Sequence, residues 1–176
     1  MKNCINELKL TFSARSENEA LARACVSSFI SQLDPYVSEL AELKTAVSEA
    51  VTNSIVHAYR GRGGDPNSCE IYIHLKLFSD RRVYIKIRDK GCGIPDVEQA
   101  MQPLYTTAPD EERAGLGFAV MESFTDRLRV KSARGKGTVV VMEKTLQEKL
   151  NDGSFENKRD NSVESRGKSG AGAFMR

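Results

Sequence analysis

Glu49, Asn53 and His57 recur every four residues in the stretch Glu49-Ala50-Val51-Thr52-Asn53-Ser54-Ile55-Val56-His57-Ala58. On a helix that spacing stacks a carboxylate and a carboxamide one turn apart, so that both project into the same space. The same letters also suit the solvated flank of a surface helix. A second candidate is Asp89, in Asp89-Lys90-Gly91-Cys92-Gly93-Ile94-Pro95. An Asp carboxylate can accept a hydrogen bond from an exocyclic amine, and glycines let a backbone approach a ligand closely or take positive φ. An ordinary turn fits that stretch as well. A third is Gly115-Leu116-Gly117-Phe118 at the start of a helical pattern, where unpaired N–H groups and the positive dipole end suit an anion. The two histidines, His57 and His74, read as structural.

The elements that must position these residues follow from periodicity. Leu8, Leu10 and Phe12 alternate with polar residues, predicting a strand over 7–13 with one buried face. Ser16-Glu17-Asn18-Glu19 fits a capping box, and the helix after it places Leu21, Cys25, Ser28, Phe29 and Leu33 on one side. Arg23 falls outside that stripe, as either a solvated residue or a partner contact. A central helix is expected to start at Asp34 as N-cap with Pro35 as first helical residue. Its apolar face is Leu40, Leu43, Val47, Ala50, Ser54 and Ala58, and turn-rich Gly61 to Asn67 stops it.

Ile71, Ile73, Leu75 and Leu77 alternate, Ser79-Asp80 turns the chain, and Val83, Ile85 and Ile87 alternate again, which predicts a hairpin ending at Asp89. A long connection over 96–114 follows, with one short helical stretch at Val97 to Gln102; connections of that length are lids or disordered segments. Leu128 with Val130 and Val139 with Val141 predict a second hairpin across Ala133 to Gly137.

A chain of 176 residues is long enough for one well-buried domain. With 26 basic and 24 acidic residues it has no nucleic-acid footprint, so direct contact with DNA is not expected. Cys4, Cys25, Cys69 and Cys92 lack C-x-x-C spacing, which argues against zinc and for a reducing compartment. No apolar run approaches a membrane span, and a cytoplasmic, unanchored protein is expected. The domain is expected over 1–146. Residues 147–176 are expected to form a disordered tail, since after Leu150 almost nothing apolar offsets the entropy of ordering.

Singly these signals are weak, but their order is specific: E-x-x-x-N on a helix, D-x-G-x-G-I-P after a strand, a lid, G-L-G at a helix start, then Gly135-Lys136-Gly137-Thr138. The succession resembles the ATP-binding fold shared by gyrase, Hsp90, histidine kinases and MutL, over about residues 7 to 145. It implies an α/β (α+β) two-layer sandwich: a mixed, mainly antiparallel sheet, helices on one face, and ATP under a mobile lid. Within that superfamily, Val47 to Asn53, Pro103-Leu104-Tyr105-Thr106-Thr107, Glu112 to Phe118 and Met121 to Asp126 are similar to the anti-sigma F factors of spore-forming bacteria. Those are serine kinases that hold a sporulation sigma factor and phosphorylate an anti-anti-sigma factor. Two positions depart from the pattern: Ala108 replaces a lysine after the paired threonines, and Ala114 a serine before Gly-x-Gly.

The resemblance implies Glu49 as general base, Asn53 as the Mg²⁺ ligand and Asp89 as acceptor for the adenine amine. Gly91, Gly93, Gly115, Leu116 and Gly117 would line the nucleotide, with Thr138 beside the base and Thr106, Thr107 and Arg113 closing from the lid over the phosphates. Arg23 matches an arginine used for sigma and anti-anti-sigma contacts, and a homodimer is implied, with the exposed sheet face as a surface for self-pairing. A sensor histidine kinase would need a helical segment with a phospho-accepting His ahead of Glu49, and a gyrase- or MutL-type ATPase a transducer domain after the fold; neither is expected here. A nucleotide-regulated sigma-binding module without kinase activity, or an anti-sigma B type kinase, are the alternative readings.

Overall fold

A computed structural model of the chain describes residues 3–59, 69–102 and 115–149. In chain order these form β1 (Cys4–Ser13), α1 (Glu17–Ile30), a 3-10 turn (Ser31–Leu33), α2 (Val37–Asn53), a π turn (Ser54–Ala58), β2 (Glu70–Phe78), β3 (Arg82–Asp89), α3 (Val97–Ala100), α4 (Gly117–Ser123), β4 (Arg127–Ser132) and β5 (Thr138–Thr145). The strands make one sheet in the order β1-β2-β3-β5-β4, and all four pairings are antiparallel. Helices lie against one face, which gives the expected two-layer sandwich. Among the described residues no helix is long and apolar enough to cross a membrane.

Cross-strand register explains where the core ends. Leu8, Leu75, Ile85, Met142 and Leu128 form one row across all five strands, and Leu10, Ile73, Ile87, Val140 and Val130 form the next. The six on β2, β3 and β5 are buried against the helices, each burial contributing about 1.5–3 kcal/mol, and the four on the edge strands β1 and β4 are partly buried. A third row begins apolar with Phe12 and Ile71 but turns polar at Asp89, opposite Ile71. Ser132 and Thr138 pair at the same end of the sheet. The helix-facing layer therefore changes from hydrophobic core to hydrogen-bonding surface within one row.

Several expected boundaries shift. Asp34 does not cap α2: it adopts the left-handed conformation (φ 46°) and ends the 3-10 turn. Pro35 lies outside the helix, and Tyr36 takes the cap position, its N–H donating to Glu39 Oε2 at 2.9 Å. The capping box at Ser16 does not form either, because Ser16 already has helical dihedrals and makes no side-chain cap. Glu19 turns instead to α2, where Ser48 Oγ donates to it at 2.6 Å.

On α1 the buried stripe is Ala22, Val26, Phe29 and Ile30, so the expected face keeps Phe29 and Leu33 but not Leu21, which is 54% exposed. Ala22 and Val26 offered an equally apolar row one residue on. In β5 the core-facing residues are Val140 and Met142 rather than Val139 and Val141, as the pairing with Val130 and Leu128 requires. The short helix after Asp96 stops at Ala100, its start capped by the Asp96 side chain accepting from Gln99 N–H at 2.9 Å. Beyond β5, Leu146 is buried and Gln147 N–H donates to buried Glu39 at 2.8 Å, which ties residues 146–149 to the domain. The rest of the expected tail, the turn-rich 61–67 and the lid at 103–114 lie outside the described residues.

Candidate active site

Glu49 and Asn53 sit on the last turns of α2, both half-buried. They converge on the start of α4: a β-carbon at Gly117 would lie 3.0 Å from Glu49 Oε2 and 3.2 Å from Asn53 Nδ2. Any larger residue at this position would push the carboxylate and the carboxamide away from the turn they face. α2 packs directly on α4, which fixes that approach. The Glu49 and Asn53 face of α2 and the glycine turn that opens α4 thus lie against each other. Gly115 has φ 62°, available to glycine at little cost, and Leu116 is 41% exposed at the mouth of the turn.

After Asn53 the helix widens into the π turn. Single π turns inside helices are uncommon and concentrate at functional sites. Here the widening has a visible partner: Cys92 N–H donates to Ala58 O at 2.6 Å, and a β-carbon at Gly91 would fall 2.0 Å from that same oxygen. His57 contributes its carbonyl, which accepts from Cys92 Sγ at 3.2 Å. His74 lies on the opposite face of the sheet beside Glu7.

Asp89, 2% exposed, carries the densest set of contacts in the region. Its Oδ1 accepts Gly91 N–H at 2.9 Å and Thr138 N–H at 3.1 Å, and its Oδ2 accepts Ser54 Oγ at 3.3 Å. Burial pushes its carboxyl above the ordinary carboxylate value, against the opposing pull of those donors. The neighbouring turns interlock through glycine. Gly93 (φ 72°) leaves room for the Ala133 carbonyl and Gly137 (φ 77°) for that of Asp89. Ser132 Oγ accepts Ile94 N–H at 2.7 Å, lies 2.9 Å from Thr138 Oγ1 and reaches Gly137 O at 2.9 Å, bolting two turns together.

The structure therefore brings together Glu49, Asn53 and Gly117 on one side, and Asp89, Gly91, Gly93 and Thr138 on the other, with Ser54 joining the two. Ser54 and Ser132 were not among the expected site residues. The signal for Ser54 was a hydroxyl inside an otherwise apolar stripe; for Ser132 it was the position across the hairpin from Thr138. Thr106, Thr107, Arg113, Ala108 and Ala114 lie outside the described residues. Arg23 stands away from this cluster on α1, 3.7 Å from Glu19 Oε2, and Glu19 in turn links to Ser48, the residue before Glu49. Among the described residues no cluster of three His, Cys, Asp or Glu side chains could hold a metal ion.

The family description "Histidine kinase-like ATPase domain" matches residues 12–144. The anti-sigma F factor of Clostridium acetobutylicum is 49% identical over 139 residues, covering 79% of this chain and 93% of that protein. The anti-sigma F factor of Geobacillus stearothermophilus is 51% identical over 144 residues, covering 82% and 95%. In structure, a crystal structure of the RsbU and RsbW domains of a Mycobacterium tuberculosis protein superposes with a TM-score of 0.60 at 21% identity, over 82% of this chain and 33% of that one.

Proposed function

The chain belongs to the histidine kinase-like ATPase family and, within it, to the anti-sigma F factors, and from that membership we propose that it sequesters a sporulation sigma factor from RNA polymerase and phosphorylates an anti-anti-sigma factor on serine. The observation that carries the kinase half is the convergence of Glu49 and Asn53 on Gly117, with buried Asp89 at the sheet end beyond them. Phosphoryl transfer needs positioning and charge neutralisation more than covalent chemistry from the protein. Bound Mg²⁺ supplies the neutralisation, and Asn53 Oδ1 is the oxygen that would hold it. Asp89 Oδ2 accepts the adenine amine. Glu49 takes the proton of the incoming serine hydroxyl. Thr138 holds Asp89, and the backbone of Gly115, Leu116 and Gly117 lines the phosphate side; Thr106, Thr107 and Arg113, outside the described residues, are the further proposed phosphate contacts.

For the binding half, Arg23 is the proposed contact with the sigma factor and the anti-anti-sigma factor, its guanidinium only loosely paired with Glu19. A homodimer in the cytoplasm is the proposed assembly, formed through the open sheet face. That face is basic: a basin of about 330 Å³ on it is lined by Lys86, Arg88, Lys131 and Lys136. The test is incubation of the purified chain with labelled ATP, Mg²⁺, the sigma factor and the anti-anti-sigma protein. Label on a serine of the latter is expected. Sigma binding with no transfer would leave a nucleotide-regulated binding module.

A further inference from the structure

The hydroxyl of Tyr59 bridges two backbone groups from different segments. It donates to the Glu70 carbonyl at 2.5 Å and accepts Lys90 N–H at 3.1 Å. A phenol oxygen can do both at once, having one proton to give and lone pairs to receive. The three residues belong to three segments: Tyr59 follows the π turn, Glu70 opens β2, and Lys90 directly follows Asp89. The Lys90 side chain is held as well. Its Nζ donates to Tyr72 Oη at 2.7 Å and sits 4.7 Å from the centre of that ring, while Tyr72 Oη donates to the Glu70 carboxylate. The peptide leaving Asp89 is thus fixed at its N–H by Tyr59 and at the next side chain by Tyr72.

That peptide leads to Gly91, whose N–H together with that of Thr138 holds Asp89 Oδ1. Rotation of the Asp89–Lys90 peptide would carry the Gly91 N–H off Oδ1 and free the carboxylate to turn, taking Oδ2 from its place beside Ser54. We infer that Tyr59 is a positioning residue for base recognition: its hydroxyl holds the Asp89–Lys90 peptide so that Asp89 Oδ2 faces the amine of an adenine ring. This rests on the reading of Asp89 as the amine acceptor. It makes Tyr59 a determinant of base selectivity without contact to the base.

The test compares ATP with inosine triphosphate, whose ring has a carbonyl where adenine has the amine, in equilibrium titrations of the full chain. Wild type should prefer ATP. Tyr59→Phe removes one oxygen and should weaken ATP by about 3- to 10-fold, the range of one net hydrogen bond, while moving inosine triphosphate by less than about twofold. Tyr59→Trp, which keeps bulk but cannot accept an N–H, should do the same and serves if the first variant folds poorly. Equal weakening of both nucleotides would mean general loosening, and no change in either would mean the hydroxyl is idle; each overturns the proposal. A wild type that does not distinguish the two nucleotides, with Asp89→Asn also indifferent, would instead remove the Asp89 reading and this inference with it.

Discussion

Ser54 and Asp89 meet where the π turn passes over the end of β3, the hydroxyl donating to Oδ2 at 3.3 Å. The other carboxylate oxygen already receives two backbone N–H groups, from Gly91 and Thr138. The side chain is therefore divided: Oδ1 holds protein, and Oδ2, with one long bond, keeps a lone pair for something else.

Asp89→Asn tests that division. The amide carbonyl must take the Oδ1 place to satisfy two backbone donors, which forces NH₂ into the Oδ2 place; Ser54 can turn its proton to Ala50 O and accept from it, but an incoming amine meets it as donor against donor. ATP affinity should fall by more than ~1 kcal/mol, measured by calorimetric titration of a folded variant. An unchanged affinity would remove Asp89 from the nucleotide site.

The raised carboxyl of Asp89 has a pH signature. Between its ordinary value and the raised one, the folded chain keeps a proton that the unfolded chain has released, so this group's contribution to stability falls as pH rises through that window. Above it the full cost of a buried charge is present. An adenine amine favours the charged form, so ATP binding should release a proton within the window and weaken as pH drops through it. Calorimetry in two buffers of different ionisation enthalpy reads the proton count, and Asp89→Asn should abolish the difference.

Glu49→Gln should retain ATP and the sigma factor but slow phosphorylation by roughly 10²–10⁴-fold, the usual worth of a positioned base. Single-turnover transfer to the anti-anti-sigma protein is the measurement. Wild-type rates would return Glu49 to the role of a helix flank.

Arg23→Ala should weaken both protein partners and leave ATP alone. Its guanidinium stands 3.7 Å from Glu19, and Glu19 is held by Ser48 on the other side, so loss of Arg23 leaves the α1–α2 contact in place. An interface arginine that is a hot spot costs ~2 kcal/mol or more on truncation. Pull-downs with each partner, in ATP and in ADP, decide it; full retention of both would leave the binding surface without its named residue.

Self-association should strengthen with salt. The open face presents Lys86, Arg88, Lys131 and Lys136 around one basin, and two such faces repel until ions screen them. Sedimentation at low and high ionic strength measures the shift. A dimer that weakens with salt would place the contact elsewhere.

Much of this was legible in the letters. The alternations of β2 and β3 fix which face is buried, because a one-residue slip would bury Tyr72, His74 and Lys76 instead. Asp89 was legible as a strand-end acid before two glycines. The phase of α1 was not, because Leu21 and Ala22 each begin an apolar row and only packing on α2 selects between them. Nor was the start of α2, where Asp34 is a good cap by type but takes a left-handed turn that lets Leu33 stay in the core. The π turn depends on the Ala58 carbonyl reaching Cys92, a contact between segments that periodicity within one helix cannot reveal.

The glycine interlock at Gly91, Gly93 and Gly137 ties together segments that lie far apart in the chain: the end of the π turn, the strand-end turn and the β4–β5 turn. Each fills the space where another's β-carbon would be, so none can take its final shape until the others are near. Closing contacts between distant segments is entropically slow and is rewarded only after the hairpins exist. The end of the sheet that carries the proposed nucleotide site is thus expected to be completed last as the chain folds. It also resists piecemeal remodelling, since altering one turn leaves the other two packed against a surface that is no longer there.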